Sequence, residues 1–258
     1  FRDGPGLGVR RTELHSRLHA AAEQAGVEFV DERVTSVAQN DDAVCVAGWR
    51  ARYLVGADGL HSNVRRAVGL QRLSNSAPRW GLRAHYAVQP WADHVEVHWS
   101  PAGEAYVTPV APDCIGVALL GGARVPFEQR LASFPALRAR LPASPVADVR
   151  AAGPLRQDVA RRVAGRVLLV GDAAGYVDAL TGEGLAISFA CAAALVQRLV
   201  AGDPAAYEHD YRRITRRYRW ITSALVASTR RSVARRAIVP VAAGAPWLFG
   251  AAVNQLAG

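Results

Sequence analysis

One part of the sequence places an acidic residue between a predicted strand and a predicted helix. A continuously apolar run, residues 167–170, leads into Gly171-Asp172, and a glycine-rich turn, residues 180–184, precedes a long apolar stretch. A carboxylate at the end of a buried strand can accept hydrogen bonds from sugar-like hydroxyls. A helix N-terminus beside it can stabilise an anion without lysine or arginine. The spacing fits equally well a plain alternative, in which Asp172 only occupies a turn after a core strand.

Two further motifs lie closer to the N-terminus. Residues 53–65 read Tyr-Leu-Val-Gly-Ala-Asp-Gly-Leu-His-Ser-Asn-Val-Arg, so a short predicted strand ends at an Asp-Gly pair that begins with Asp58. Ser62 is a suitable cap for a short helix that carries Arg65. The third motif, Arg-Thr-Glu-Leu, begins at Arg11, where an amphipathic pattern predicts the start of a helix.

Together, the three motifs resemble those of the flavoprotein monooxygenases of the para-hydroxybenzoate hydroxylase type and their relatives, the geranylgeranyl reductases. Residues 171–174 with 181–184 are similar to the second FAD-binding signature of these proteins. Residues 53–65 look like their Asp-Gly motif, and residues 11–14 look like their Arg-x-x-Leu. Because the order and separation also agree, the resemblance covers roughly the whole chain.

The sequence departs from the family pattern in two places. Ala179 stands where the family usually has proline, which removes a backbone restraint before the glycine turn. The resemblance also implies a strand–turn–helix with a glycine fingerprint ahead of the three motifs. The chain begins at Phe1 and contains no methionine, so we expect that segment to have preceded Phe1.

The resemblance assigns site roles residue by residue. It makes Asp172 the acceptor for a ribityl hydroxyl of FAD, and it places Gly182, Glu183 and Gly184 at a helix start that faces the pyrimidine edge of the flavin. It implies NAD(P)H as the reductant. It gives no catalytic acid or base, and the sequence shows no metal-ligand spacing.

The remaining expected cofactor residues lie before the middle of the chain. Arg11 is expected to contact the ribityl chain or the pyrophosphate, and a backbone group near Val34 to meet the adenine. Asp58 and Gly59 are expected to line the pyrophosphate and the approach of the pyridine nucleotide, with Arg65 following on its short helix. The plain alternatives are an Asp-Gly turn and a solvated arginine.

We predict an α/β architecture: an incomplete FAD-binding Rossmann-like domain, an interleaved antiparallel-sheet substrate domain, and C-terminal helices. The predicted domains are residues 1–72 with 154–201 for FAD, 73–153 for the substrate, and 202–258 for the C-terminal helices. The helix beginning at Gly184 is apolar nearly all round and is therefore expected to be internal.

Local patterns add three structural expectations. The sequence predicts a helix capped by Thr12, followed by a strand over residues 27–30. Alternating strands between residues 79 and 120 are expected to wall the substrate. The side chains proposed for that wall are His85, His98, Trp99 and Tyr106.

Composition restricts the remaining classes of protein. The net charge is +9, yet no nucleic-acid motif is present, and the use of arginine without lysine resembles a compositional bias. Three isolated cysteines argue against disulfides and zinc, which favours the cytoplasm. Residues 237–258 carry no charge and follow an arginine cluster, a pattern that predicts at most weak peripheral membrane contact.

The resemblance therefore implies a FAD-dependent oxidoreductase that uses NAD(P)H, in the first place a monooxygenase of a small organic, possibly aromatic, substrate. Two alternatives remain open. One is a reductase of isoprenoid-type double bonds, which the Leu-Thr-Gly-Glu-Gly run ending at Gly184 matches closely. The other is a non-enzymatic fragment or interaction module.

Overall fold

The computed structural model describes residues 9–229 together with Pro240 and Gly244. Its six α-helices in this range are α1 (Arg11–Gln24), α2 (Asn63–Ala67), α3 (Phe127–Leu131), α4 (Pro135–Arg138), α5 (Gly184–Val200) and α6 (Tyr207–Thr229). Two 3₁₀ turns, Gly171–Ala174 and Pro204–Ala206, precede α5 and α6.

Thirteen short strands occur in the same part of the chain. They are β1 (Ala38–Gln39), β2 (Val44–Val46), β3 (Trp49–Ala51), β4 (Leu54–Gly56), β5 (Gln71–Arg72), β6 (Trp80–Ala87), β7 (Glu96–Ser100), β8 (Gly103–Ala111), β9 (Cys114–Gly121), β10 (Arg150–Ala152), β11 (Asp158–Val159), β12 (Val163–Ala164) and β13 (Val167–Leu169).

The chain forms two compact units. Unit 1 comprises Phe1–Glu32 with Gly81–Ala152, and unit 2 comprises Arg33–Trp80 with Gly153–Gly258. These units differ from the sequence-based division at both ends, because the first 32 residues group with the large sheet and the C-terminal part groups with unit 2. The functional division into FAD and substrate domains stays a prediction.

Unit 1 is built on a five-stranded sheet in the order β10-β6-β9-β8-β7. The pairs β10–β6, β9–β8 and β8–β7 are antiparallel. One face of this sheet is covered by α3 and α4. Alternate strand residues supply that core, because successive side chains of a strand point to opposite faces. Its buried members include Ala84, Tyr86, Ala105, Val107, Ile115, Val117, Leu119, Phe127, Leu131, Phe134 and Leu137.

Unit 2 contains a three-stranded sheet in the order β12-β13-β4, in which β13 and β4 run parallel. All three residues of β13 are fully buried, as a continuously apolar parallel strand predicts. The core around β13 draws on Val64 from α2, Cys191 and Leu195 from α5, and Tyr207 and Tyr211 from α6.

Three local expectations are wrong. Thr12 lies inside α1, whose N-cap is Arg10, so its hydroxyl does not cap the helix. Residues 27–30 form no strand and are exposed. Helix α5 is not internal, since only Cys191 and Leu195 are buried and Val200 is 84% exposed.

Other features concern the surface and the thiols. Within the described residues, no helix is long and apolar enough to cross a membrane. The sequence pattern at residues 237–258 lies outside the described residues except for Pro240 and Gly244.

All three cysteines are free thiols. Asp203 caps the 3₁₀ turn before α6 by accepting a hydrogen bond from the Ala206 amide at 3.3 Å.

Candidate functional site

The parallel pair β4–β13 brings two acidic residues of the motifs to one edge of the sheet. Leu169 at the end of β13 is the partner of Gly56 at the end of β4. Asp58 follows β4 by two positions and Asp172 follows β13 by three. Because parallel strands share their carboxyl edge, both residues lie at the place where ligands bind to such sheets.

Gly56 allows this edge to close tightly. A Cβ atom at this position would lie 2.8 Å from Leu169 Cδ2 and 2.9 Å from Val64 Cγ1. Both distances are shorter than side-chain contacts permit, so glycine is needed for the approach of β4, β13 and α2.

Asp58 uses one carboxylate oxygen to cap α2. Its Oδ2 accepts hydrogen bonds from the Asn63 amide at 2.6 Å and the Val64 amide at 3.0 Å. Ser62 caps the same helix by accepting from the Arg65 amide at 2.9 Å, as the sequence predicts. Asp58 remains exposed and Gly59 is half-buried beside it, so both stay accessible to a ligand.

Arg65 is completely buried, with 0% of its surface exposed. Its guanidinium donates to the carbonyls of Asp172 and Ala173 at 3.3 and 3.0 Å, and to the carbonyl of Leu60 at 2.8 Å. Two glutamine side-chain oxygens, of Gln71 and Gln157, accept further bonds at 2.6 and 2.8 Å. Arg65 therefore holds the backbone of the Asp172 turn instead of pointing a free cation at a ligand.

The segment between Asp172 and Gly182 is fixed by contacts that the sequence analysis did not find. Arg79 donates from Nε to Asp178 Oδ2 at 2.8 Å, and both side chains are buried. The Tyr218 hydroxyl donates to the Asp178 carbonyl at 3.2 Å. Asp178 Oδ1 accepts from the Leu180 amide at 3.2 Å. Asp178 lies between the two parts of the motif, residues 171–174 and 181–184, and could have been noticed for that reason. No local pattern points to Arg79 or Tyr218.

The N-terminus of α5 is open. Gly182 has a φ of +75°, which favours glycine, and a Cβ at this position would meet no atom within 4 Å. The N-cap residue Glu183 makes no side-chain capping bond. The first amides of α5 lie at the positive end of a 17-residue helix dipole.

Glu183 is an unusual residue at this position. Its Oε1 atom is buried and has no hydrogen-bond partner within the described structure. Burial raises the pKa of Glu183 to about 7, and the positive charge of Arg217 only partly opposes this rise. A half-buried carboxyl that gains a proton near neutral pH can donate a hydrogen bond as well as accept one.

The other two expected cofactor residues, Val34 and Arg11, lie outside the segments around Asp58 and Asp172. Val34 belongs to unit 2, where its half-buried side chain packs against the core that surrounds β13. Arg11 is the exposed first residue of α1 in unit 1. The contacts of both residues with a cofactor stay predictions.

The face of the unit 1 sheet opposite α3 and α4 carries three of the four expected wall residues. Tyr106 and Trp99 lie on the face opposite the helices, and His85 lies there beside Gly116, whose Cβ would be 3.6 Å from the imidazole. Burial and nearby arginines lower the pKa of His85, which favours its neutral form. His98 does not belong to this wall.

His98 lies on the helix-covered face because its cross-strand partner, Ala105, is part of the core beneath α3 and α4. Its Nε2 is 3.2 Å from Glu96 Oε2. The same carboxylate oxygen accepts a hydrogen bond from the Trp91 indole at 2.9 Å. Strand register, which residue types alone do not reveal, decides this placement.

The unit 2 residues fit a ligand that combines hydroxyl groups with a negatively charged ring. An acidic residue at the carboxyl edge can accept hydrogen bonds from hydroxyl groups. The amides at the N-terminus of α5 and the buried Oε1 of Glu183, which has no hydrogen-bond partner within the described structure, can bind polar ring atoms. Such a combination suits FAD. Among the described residues, no group of three His, Cys, Asp or Glu side chains is placed to hold a metal ion.

Comparison with known proteins agrees with this assignment. Residues 7–112 match the family described as FAD binding domain. The flavin-dependent halogenase CmlS matches with a TM-score of 0.68 and 21% identity, over 86% of this chain and 46% of its own. CabE, an aromatic hydroxylase from angucycline biosynthesis, matches with a TM-score of 0.65 and 24% identity, over 83% and 49%.

A third solved structure, the halogenase PltM in complex with phloroglucinol and FAD, has a TM-score of 0.64 and 16% identity and matches 78% of this chain and 49% of its own. The chain thus spans about half the length of these solved structures. The chain has the fold of flavin-dependent hydroxylases and halogenases. The predicted fold class and the resemblance to flavoprotein monooxygenases are confirmed, and the match of residues 7–112 to an FAD binding domain agrees with the predicted cofactor.

Proposed function

We propose that this chain belongs to a FAD-dependent monooxygenase that uses NAD(P)H and hydroxylates a small aromatic substrate. The observation that carries the proposal is the shared carboxyl edge of β4 and β13. Asp58 follows the end of β4 and Asp172 follows the end of β13, so both acidic residues lie at this edge. The open N-terminus of α5 completes a site of the polarity that FAD requires. FAD, when bound, supplies the transfer of electrons from NAD(P)H and the reaction with oxygen.

The chain's own residues bind the cofactor and orient it. The Asp172 carboxylate accepts hydrogen bonds from hydroxyl groups of the cofactor, and Arg65 fixes the backbone of the turn on which it stands. The dipole of α5 favours negative charge near Gly182. Glu183 holds a proton at its carboxyl near neutral pH, so that it can donate to an electron-rich atom.

Flavin retention tests the cofactor site. In protein expressed from its complete reading frame, Asp172→Ala should weaken FAD binding at least about tenfold, because a hydrogen bond to a charged group is worth about 1.5 kcal/mol or more. Fluorescence titration with FAD measures the dissociation constant. Asp113→Ala, which removes an exposed carboxylate in unit 1, is the matched control and should leave the constant unchanged. Equal losses in both variants would contradict the assignment.

Hydroxylation and double-bond reduction can be separated by oxygen dependence. The aromatic and polar sheet face with His85, Trp99 and Tyr106 supports a ring-containing substrate, whereas the Leu-Thr-Gly-Glu-Gly run supports the reductase. The enzyme is reduced without oxygen and then mixed with candidate phenols or polyprenyl compounds, with and without oxygen. Product formed only with oxygen supports the monooxygenase. Product formed equally well without oxygen would assign the reductase, and a protein that binds no flavin would favour the non-enzymatic alternative.

A further inference from the structure

The net positive charge of the chain, +9, comes from its last 48 residues. Residues 211–258 contain nine arginines and no acidic residue, whereas residues 1–210 contain 22 arginines and 22 acidic residues. Arginine replaces lysine along the entire chain, but the excess of arginine over acidic residues is confined to the last part, because the first 210 residues are neutral. The uneven distribution therefore needs a local cause.

Helix α6 presents part of this charge on one face. Tyr207, Tyr211, Thr215, Tyr218 and Thr222 are buried and fix the orientation of the helix. The opposite face, which we call the arginine face, consists of exposed residues three or four positions apart. These residues are Arg212, Arg213, Arg216, Arg217 and Trp220.

The arginine face is only partly neutralised. Arg212 donates to Glu208 at 2.9 Å, and Arg213 lies 3.6 Å from Asp210, but both arginines are about 70% exposed. Within the part of the chain that the structure describes, Arg216 and Arg217 form no ion pair. Exposed pairs of this kind contribute little to folding.

Trp220 adds an apolar group to the same face. It is 73% exposed, so most of its indole ring lies at the surface. Tryptophan is enriched where an apolar medium meets water, because its ring can enter lipid while its N–H stays hydrated. An arginine cluster beside an exposed tryptophan suits an anionic lipid surface, because the lipid phosphates attract the arginines and the indole ring prefers the interface.

We propose that the arginine face of α6 docks on the surface of an anionic phospholipid bilayer. The phosphates of the lipid complement Arg212, Arg213, Arg216 and Arg217, and Trp220 enters the interface. The sequence beyond α6 favours lipid over nucleic acid. Four more arginines are followed there by 22 residues without charge that include Trp247, Leu248 and Phe249. Nucleic acid would gain nothing from such an apolar sequence.

Flotation with vesicles tests the proposal on the full chain. Vesicles of equimolar phosphatidylglycerol and phosphatidylcholine should carry the protein upward, whereas pure phosphatidylcholine should not, and added salt should weaken the binding. Each arginine near an anionic surface contributes roughly fivefold to partitioning. Arg213→Gln with Arg216→Gln should therefore lower the partition coefficient about 30-fold.

The matched control, Arg50→Gln with Arg161→Gln, removes the same charge from exposed positions elsewhere in unit 2 and should change the coefficient no more than about twofold. Quenching by brominated lipid should fall in Trp220→Phe but not in Trp49→Phe, since Trp49 is also exposed but lies on β3. The proposal is overturned by any of four results: no flotation, equal flotation with neutral vesicles, equal losses in the two arginine pairs, or binding of duplex DNA without binding of vesicles.

Discussion

Arg65 shows how a buried charged residue can fix the backbone of a site. None of its surface is exposed, and its donors are shared among three carbonyls and two glutamine oxygens. The planar guanidinium is suited to several acceptors in fixed directions, whereas an ammonium group is not. Arg65 therefore acts as a positioning residue for the turn that carries Asp172.

Replacing Arg65 with lysine should destabilise unit 2 by about 3 kcal/mol, because buried acceptors would lose their donors. Urea unfolding measures the loss. Arg66→Lys is the control, since the neighbouring Arg66 is exposed and donates to the Asn63 side chain. If both variants unfold at the same urea concentration, the buried bonds contribute less than the geometry indicates.

Glu183 should make stability depend on pH. Its pKa is about 7 in the folded protein against 4.5 for an ordinary glutamate, so the folded state binds the proton more tightly. The free energy of unfolding must therefore fall as the pH rises from 4.5 to about 7. A shift of this size corresponds to about 3 kcal/mol at most, and partial exposure reduces the expected fall to about 1 to 2 kcal/mol.

Glu183→Gln removes this titration, so the variant should match the parent at pH 4.5 and exceed it in stability at higher pH. Thermal unfolding across this range gives the comparison. Glu28→Gln, at an exposed position, should follow the parent at every pH. A parallel pH dependence of the parent and Glu183→Gln would show that another group titrates.

At the scale of elements, the approach of β4, β13 and α2 depends on the missing side chain of Gly56. Gly56→Ala should cost about 1 to 3 kcal/mol, because the added methyl overlaps Leu169 and Val64. Gly116→Ala is the control, since its Cβ would have no neighbour closer than 3.6 Å. Chemical denaturation of both variants tests the difference, and a harmless Gly56→Ala would mean that the strands can separate slightly.

The sequence predicted those elements whose signal is local. The strand, turn and helix around Asp172 were found because an apolar run, glycines and a helical pattern follow one another directly. The bonds of Arg65 to the Asp172 turn and of Arg79 to Asp178 join residues about 100 positions apart, and no local pattern records them.

Two sequence-based expectations, for His98 and for α5, were wrong for different physical reasons. His98 was assigned to the wrong sheet face because register depends on the neighbouring strand. Helix α5 was expected to be internal from its composition, but composition does not say how many neighbours surround a helix. In the structure, Phe189, Val196 and Val200 remain exposed.

At the scale of the whole molecule, clustered charge should be visible in chromatography. Arg213→Gln with Arg216→Gln and Arg50→Gln with Arg161→Gln change the net charge equally. A column responds to dense patches more than to net charge, because nearby charges bind the matrix together. The first pair should therefore elute from a cation exchanger at distinctly lower salt than the second, and identical elution would indicate that α6 does not dominate the surface potential.

The separation of the two halves of unit 2 in the sequence has a consequence for synthesis. Arg65 and Ala173, which contact each other, are 108 residues apart, and the intervening segment includes the large sheet of unit 1. At about 5 to 20 residues per second, a ribosome needs roughly 5 to 20 seconds to make that segment. Throughout this interval, β4 lacks its parallel partner β13, and the guanidinium of Arg65 lacks its acceptors on Asp172 and Ala173. The nascent chain is therefore most exposed to aggregation and chaperone capture after unit 1 has emerged and before β13 appears.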